Sequence, residues 1–142
     1  MEMNIKIQHD CGNIDWEQVR DSLKRVGMAY REPEVHRLAF QGSFCKVFLF
    51  DEGRMIGFGR AISDGVSQAA VYDIVVLPEY QNKGIGKLLM NSLLEKLGSC
   101  NVILYANPGK EGFYATLGFR PMPTAMGRFL HPERMIERGM LR

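Results

Sequence analysis

The sequence predicts a mixed α/β domain built around one main sheet. Two observations indicate this class. Some segments repeat apolar residues at helical spacing, while others are short apolar runs bounded by turn residues. The chain has 142 residues, 46% of them hydrophobic, which is typical of one ordinary domain. We therefore expect a single domain over residues 1–142 with helices and strands mixed along the chain.

Two helices are predicted before the first strand. The first covers about residues 14–26, where apolar residues fall on one face at Trp16, Val19, Leu23 and Val26. The second is predicted to begin at Pro33, because proline is well tolerated at the first helical position. We expect it to turn Val35, Leu38 and Ala39 inward.

A strand hairpin is predicted next. Residues 45–50 are apolar, residues 51–54 are turn-forming, and residues 55–62 form the returning strand. Gly57 and Gly59 weaken that strand, but because they have no side chain they leave space on one face of it. This indicates close approach of another backbone or a ligand.

The remaining elements alternate between strand and helix. Residues 69–77 end in a continuous apolar run, which predicts a central strand buried on both faces. After it we predict a helix, a buried strand, a short helix and a final strand, at residues 84–97, 102–106, 109–117 and from Phe119 onward.

Composition excludes several classes of function. The net charge of +2 argues against a dedicated nucleic-acid binder, and no apolar run reaches the roughly 20 residues of a membrane span. Residues 1–6 lack the pattern of a signal peptide. Three widely spaced cysteines form neither a Cys-x-x-Cys pair nor a metal-ligand cluster, so we expect free thiols, a cytoplasmic location and no metal.

The segment from Gln81 to Lys87 carries the strongest chemical signal. Gly84 and Gly86 open a helix directly after a buried strand, and glycine lets a ligand approach the backbone closely. The first turn of a helix has unpaired N–H groups and a positive dipole end, which favour an anion such as a phosphate. Lys83 and Lys87 add positive charge at the same end.

Two familiar phosphate loops do not fit this segment. A dinucleotide-binding loop requires a third glycine or an alanine where this chain has Leu89. A nucleoside-triphosphate loop requires a Ser or Thr for magnesium after Gly86-Lys87, where this chain has Leu88.

The segment instead resembles the Gln/Arg-x-x-Gly-x-Gly/Ala motif of the GCN5-related N-acetyltransferase (GNAT) family, with Gln81, Gly84 and Gly86 at its defined positions. Later segments resemble the family as well, at Tyr105-Ala106-Asn107, Phe113-Tyr114 and Leu117-Gly118-Phe119. The specific motifs lie within residues 45–120. The resemblance implies the GNAT fold, a mixed and mostly antiparallel central sheet flanked by about four helices.

The resemblance also implies acetyl-CoA as the acetyl donor. In the family the glycine loop cradles the pyrophosphate with backbone N–H groups, and the pantetheine arm lies along the preceding strand in a gap before the next one. Carried onto this sequence, the cofactor-binding residues are Ile74, Val75, Val76, Gln81, Asn82, Lys83, Gly84, Ile85, Gly86, Lys87, Asn107 and Phe113. For Asn107 a simple turn role before Pro108 stays open.

Catalysis in the family proceeds by direct attack of a neutral amine on the thioester in a ternary complex. A backbone N–H at Val75 or Val76 is the family-like oxyanion donor, and Tyr114 is the family-like acid, with packing as the alternative. A carboxylate in a central strand requires a partner or a task, so Asp73 is the candidate base or amine ligand, with a structural role as the alternative. Strand alternation predicts Tyr72 on the opposite face.

The acceptor is expected to be a small-molecule primary amine. The alternatives are a protein amine, or a non-catalytic module that binds acetyl-CoA as a sensor. Dimerisation is common in the family, and apolar residues of the C-terminal tail would permit a homodimer: Met126, Phe129, Leu130, Met135 and Ile136. The three histidines, His9, His36 and His131, are expected to have surface roles.

Overall fold

The computed structural model of the protein describes residues 3–142. Met1 and Glu2, which belong to the segment predicted not to be a signal peptide, lie outside the described residues. The chain divides into two compact units, Met1–Ile103 and Leu104–Arg142. The single domain over residues 1–142 stays a prediction.

The described part of the first unit, residues 3–103, contains a five-stranded sheet with three α-helices. Its elements in chain order are β1 Ile5–Gln8, α1 Trp16–Arg25, α2 Pro33–Gln41, β2 Cys45–Asp51, β3 Arg54–Ser63, β4 Gln68–Val76, α3 Ile85–Leu97 and β5 Asn101–Ile103. The strands lie side by side in sequence order. Neighbours from β1 to β4 are antiparallel, and β5 pairs with β4 in parallel. The predicted mixed, mostly antiparallel sheet is confirmed.

The two faces of the sheet carry different helices. On one face, α1 and α2 pack on an aromatic cluster whose ring centroids lie 5.3 to 6.0 Å apart among Trp16, Phe40 and Phe48. On the other face, Leu89 and Leu93 of α3 lie over Gly59 of β3. Gly57 and Gly59 therefore admit close neighbours, as their sequence position predicted.

The inner face of α2 differs from the prediction. His36 and Phe40 are the buried residues of this helix, whereas Leu38 is 57% exposed. The apolar pattern predicted the wrong inner face for this helix. His36 is a polar residue that such a pattern does not count, yet it is buried in the structure because it is hydrogen-bonded there. The expected surface role of His36 is therefore wrong.

The two edge strands of the sheet, β1 and β5, also differ from the prediction. β1 was not predicted, since it has only four residues at a sheet edge. β5 ends at Ile103, which is 47% exposed, so the predicted buried strand over 102–106 is shorter and less buried than expected.

The second unit contains two short helices, α4 Glu111–Ala115 and α5 Pro132–Glu137. The helix predicted over 109–117 is confirmed in shortened form, with Gly118 left-handed beyond it at φ +91°. Within residues 104–142 the structure has no strand, so the predicted final strand from Phe119 is wrong. From Phe119 onward, three prolines (Pro121, Pro123 and Pro132) lack the N–H that a strand ladder needs.

Candidate functional site

The glycine loop begins where β4 ends. A single turn of 3₁₀ helix, Pro78–Tyr80, follows the strand, and α3 begins five residues later at Ile85. Asn82 and Gly84 both have left-handed backbone angles, with φ +61° and +81°. Glycine adopts this conformation without strain and asparagine tolerates it, which explains both residue types in the loop.

This loop leaves a run of backbone donors unused. Leu88 N–H donates to the Gly84 carbonyl at 3.1 Å and is the first to bond in the manner of the helix. Among the residues that the structure describes, the N–H groups from Asn82 to Lys87 donate to no protein acceptor. Six consecutive unpaired donors at the positive end of a 13-residue helix are chemically suited to an anion.

Gln81 takes a different part from the one expected. Its N–H donates to the Pro78 carbonyl at 3.2 Å, so it is not among the unpaired donors. Its side-chain Nε2 donates to the Val76 carbonyl at 2.9 Å, which ties the loop back to the end of β4. Gln81 therefore shapes the loop through its side chain.

Tyr80 and Glu79 fix the start of the loop to the rest of the first unit. Tyr80 Oη donates to the buried Asp51 Oδ2 at 2.7 Å, and this hydrogen bond raises the pKa of Tyr80. Glu79 pairs with Arg25 of α1 at 2.7 Å and with Arg54 of β3 at 2.5 Å. The bond from Arg25 is the main reason that the pKa of Glu79 falls to about 2.

Two cations stand beside the unpaired donors. Lys83 and Lys87 are exposed, and neither forms an ion pair with another residue in the described part of the chain. Lys83 Nζ lies 5.8 Å from the ring centroid of Tyr80. The lysines are therefore free to pair with a bound anion.

β4 has an open edge next to this loop. Pairing with β5 covers Gln68–Ala70, so within residues 3–142 the stretch 71–76 has a strand partner on the β3 side alone. Leu77 N–H donates to the Ile56 carbonyl of β3 at 2.9 Å. Because backbone groups alternate along a strand, Val75 also faces β3, whereas Ile74 and Val76 face the open edge. Of the two expected oxyanion donors, Val76 has its N–H on the accessible side.

A bulge in β4 changes the direction of Asp73. Phe58 pairs with Val75 and Arg60 with Tyr72, so β4 has one residue more than β3 in this stretch. Asp73 has φ +57°, a conformation that costs about 1–3 kcal/mol for a residue with a side chain. The local alternation of side chains is thereby broken.

Asp73 and Tyr72 consequently share one face, and the expectation of opposite faces is wrong. Arg60 Nε donates to Asp73 Oδ2 at 2.7 Å, and the same guanidinium lies 5.3 Å from the Tyr72 ring centroid. The structure thus supplies the partner that a carboxylate in a strand requires.

His36 lies near this pair. Its Nε2 accepts the N–H of Arg31 at 2.9 Å, which fixes the segment before α2. Burial lowers the pKa of His36, and the nearby Asp73 carboxylate opposes that shift. His36 is therefore neutral at pH 7, with the proton on Nδ1.

Two further carboxylates, Glu34 and Asp64, have local partners. Glu34 pairs with Arg37 along α2. Asp64 accepts hydrogen bonds from backbone N–H groups and from the Ser67 hydroxyl, which lower its pKa. Arg60 lies beside Asp73 because of the β4 bulge, and His36 lies near Asp73 because its ring is buried. The one feature of the sequence that could have indicated Arg60 and His36 is that each is a polar residue within an otherwise apolar pattern.

The remaining expected site residues belong to the second unit. Asn107 accepts the Lys110 N–H through its carbonyl at 2.9 Å, which starts the turn before α4. Tyr114 packs between Phe113 and Phe119, with centroids 5.0 and 5.9 Å away. Burial raises the pKa of Tyr114, so the phenol holds its proton at neutral pH. Its hydroxyl makes no hydrogen bond to any residue in the range 3–142.

The described residues lack two kinds of feature, a metal-ligand cluster and a membrane-spanning helix. Residues 3–142 contain no group of three His, Cys, Asp or Glu side chains that could hold a metal ion. None of the helices described here is long and apolar enough to cross a membrane.

Comparisons with known proteins agree with the motif. The chain is 36% identical over 128 residues to serotonin N-acetyltransferase 2, chloroplastic, of Oryza sativa subsp. japonica, covering 84% of this chain and 64% of the relative. It is 35% identical over 111 residues to GCN5-related N-acetyltransferase 1, chloroplastic, of Arabidopsis thaliana, covering 75% and 56%. The chain thus spans less than two thirds of these curated relatives.

A solved structure extends the agreement to the fold. The GNAT-family acetyltransferase of Streptococcus pneumoniae TIGR4 superposes with a TM-score of 0.75 at 27% identity, over 89% of this chain and 96% of that one. The sequence model of the acetyltransferase (GNAT) family matches residues 9–119, most of the chain. On this match, together with the shared fold and loop, the chain belongs to the GNAT family.

Proposed function

We propose that the protein is an acetyl-CoA-dependent N-acetyltransferase that transfers an acetyl group to a primary amine. The observation that carries this proposal is the run of six unpaired N–H groups from Asn82 to Lys87 at the start of α3. These donors and the two lysines beside them fit a pyrophosphate group. Membership of the GNAT family supports acetyl-CoA as the molecule that carries it.

The open edge of β4 supports a site for the pantetheine arm. Ile74 offers its backbone groups there, and Val76 offers its N–H, since the Val76 carbonyl already accepts Gln81 Nε2. The family resemblance also assigns Asn107 and Phe113 to donor binding. Acetyl-CoA would supply an acetyl group activated as a thioester.

The protein's own groups have separate parts in the proposed reaction. A neutral amine attacks the thioester carbonyl, and the Val76 N–H stabilises the oxygen that becomes negative. Tyr114 gives a proton to the leaving thiolate, a part suited to a phenol that burial keeps protonated. Asp73 binds the incoming ammonium group or takes its proton.

The acceptor that we propose is a small-molecule amine, and we further propose a cytoplasmic location. The rice relative's name, a serotonin N-acetyltransferase, supports a small amine. A homodimer also remains a proposal, supported by exposed apolar residues in the C-terminal unit, Met126, Leu130 and Ile136.

Calorimetry with acetyl-CoA, followed by an amine panel read through release of free CoA, tests the function. We expect saturable binding and turnover of at least one small amine. Absence of binding overturns the proposal. Binding without turnover on small amines and peptides would identify a sensor, and turnover on peptides alone would identify a protein acetyltransferase.

The variant Tyr114→Phe tests the assignment of the acid. It should bind acetyl-CoA normally but lower kcat by about a hundredfold, because general acid catalysis contributes that order of rate. Tyr105→Phe, an exposed tyrosine of the same unit, is the matched control and should keep its kcat. Equal rates for Tyr114→Phe and the wild type would assign Tyr114 to packing.

A further inference from the structure

The ion pair of Arg60 and Asp73 is more enclosed than the other ion pairs of the described residues. The side chains of Arg60 and Asp73 are 16% and 22% exposed, whereas in each of the other pairs at least one partner is more than 35% exposed. One carboxylate oxygen, Oδ2, accepts Arg60 Nε at 2.7 Å. The other oxygen, Oδ1, accepts no hydrogen bond from residues 3–142. Asp73 therefore has one carboxylate oxygen that is hydrogen-bonded to Arg60 and one that is available to a ligand.

The positive charge of this pair is fixed in place. The guanidinium carbon lies 5.8 Å from the Phe40 ring centroid and 5.3 Å from the Tyr72 ring centroid. Arg60 Nη1 also contacts Ser43 Oγ at 3.4 Å. Two aromatic rings and a hydroxyl hold this arginine, whereas a surface arginine would move freely in solvent.

The charge balance around Asp73 follows from these contacts. The charges of Asp73 and Arg60 cancel one another. His36, which interacts electrostatically with the Asp73 carboxylate, is neutral at pH 7. An acceptor ammonium at Oδ1 would bring the local charge to +1. A second ammonium on the same acceptor would meet the held guanidinium and be repelled.

We propose, on the basis of the proposed acetyltransferase function, that Arg60 determines acceptor specificity. By cancelling the charge of Asp73, it lets the site accept a molecule with one ammonium group and disfavours polycationic amines. Arg60 is thus a specificity-determining residue that acts through Asp73.

The test compares kcat/KM for phenylethylamine, a monoamine, with kcat/KM for spermidine, a polyamine. In Arg60→Gln the ratio should move toward spermidine by about threefold to tenfold, the size of one partly exposed charge interaction. Arg60→Lys keeps the charge and should keep the wild-type ratio. Arg37→Gln, which removes a cation on α2, is the control for overall charge and should also leave it unchanged.

Asp73→Asn supplies an independent reading if Arg60→Gln folds poorly. It leaves the guanidinium uncompensated, so spermidine turnover should fall further than phenylethylamine turnover, which moves the ratio in the opposite direction. A folded Arg60→Gln with an unchanged ratio, or an Asp73→Asn that favours spermidine, overturns the inference. A wild-type protein that acetylates no amine instead overturns the proposed function itself.

Discussion

At the scale of single residues, the decisive feature is the backbone of Asp73. Strand alternation predicted Asp73 and Tyr72 on opposite faces, and φ +57° at Asp73 places both against Arg60. No sequence pattern marks this bulge, because aspartate tolerates the left-handed conformation but adopts it at few positions, so the residue type alone does not locate it. The type of residue was predictable and its partner was not.

His36 shows the same limit and allows a prediction about pH. Its pKa in the folded protein lies below the ordinary 6.5, because the ring is buried. Below about pH 6.5 the unfolded chain therefore binds a proton more readily than the folded chain, and stability falls as the pH falls. We expect His36→Gln, which can still accept the Arg31 N–H, to lose less stability than the wild type between pH 7.5 and 5.

Urea unfolding at a series of pH values measures this difference. His9→Gln, a change at an exposed histidine, is the matched control and should follow the wild-type curve. If His36→Gln and the wild type lose stability equally on acidification, His36 is not the group that responds.

At the scale of elements, the sequence predicted those with strong periodicity and missed those without it. α1, the β2–β3 hairpin and α3 are where their apolar patterns placed them. β1 is too short to show a period, and α5 lies in a proline-containing tail with weak patterning. The predicted inner face of α2 was wrong because a hydrogen-bonded histidine is buried there, and a pattern of apolar residues does not include histidine.

In the turn Pro78–Tyr80, we expect the loss of one oxygen atom, the Tyr80 hydroxyl, to lower stability markedly. Tyr80→Phe removes the donor to Asp51 Oδ2 and leaves that buried carboxylate oxygen without its partner. An unsatisfied buried acceptor costs about 1–3 kcal/mol, so the free energy of unfolding should fall by that amount. Because the turn leads into the loop, affinity for acetyl-CoA should fall as well.

Glu79→Gln is the comparison within the same turn. It removes two solvent-exposed ion pairs, to Arg25 and Arg54, and should lower the free energy of unfolding less than Tyr80→Phe does, because solvent screens exposed charges. Chemical denaturation ranks the two variants. A larger loss for Glu79→Gln would mean that the surface ion pairs, and not the buried hydroxyl, hold the turn.

At the scale of the whole molecule, the candidate site combines a predictable part with an unpredictable one. The loop from Gln81 to Lys87 could be found because its chemistry depends on glycine, and glycine is visible in a sequence. The open edge of β4 could not be derived from the residues, because it depends on where β5 stops pairing, at Ile103. Only the family resemblance pointed to that gap.

The two glycines of β3 test how the sheet supports this edge. A Cβ at Gly57 would lie 2.8 Å from the Val75 carbonyl oxygen, a backbone atom of β4 that cannot move without shifting the strand. A Cβ at Gly59 would meet Ile74 Cδ1, the end of a side chain that can rotate. We therefore expect Gly57→Ala to lower the free energy of unfolding by about 1–3 kcal/mol and Gly59→Ala to lower it less.

Gly112→Ala in α4 is the control, since a Cβ there has nothing within 4 Å and alanine suits a helix. Urea unfolding of the three variants gives the ranking directly. A loss for Gly59→Ala that equals or exceeds that for Gly57→Ala would contradict the argument, because it would locate the tighter constraint at the contact with Ile74. With the expected ranking, the spacing of β3 and β4 beside the open edge depends on the missing side chain at Gly57.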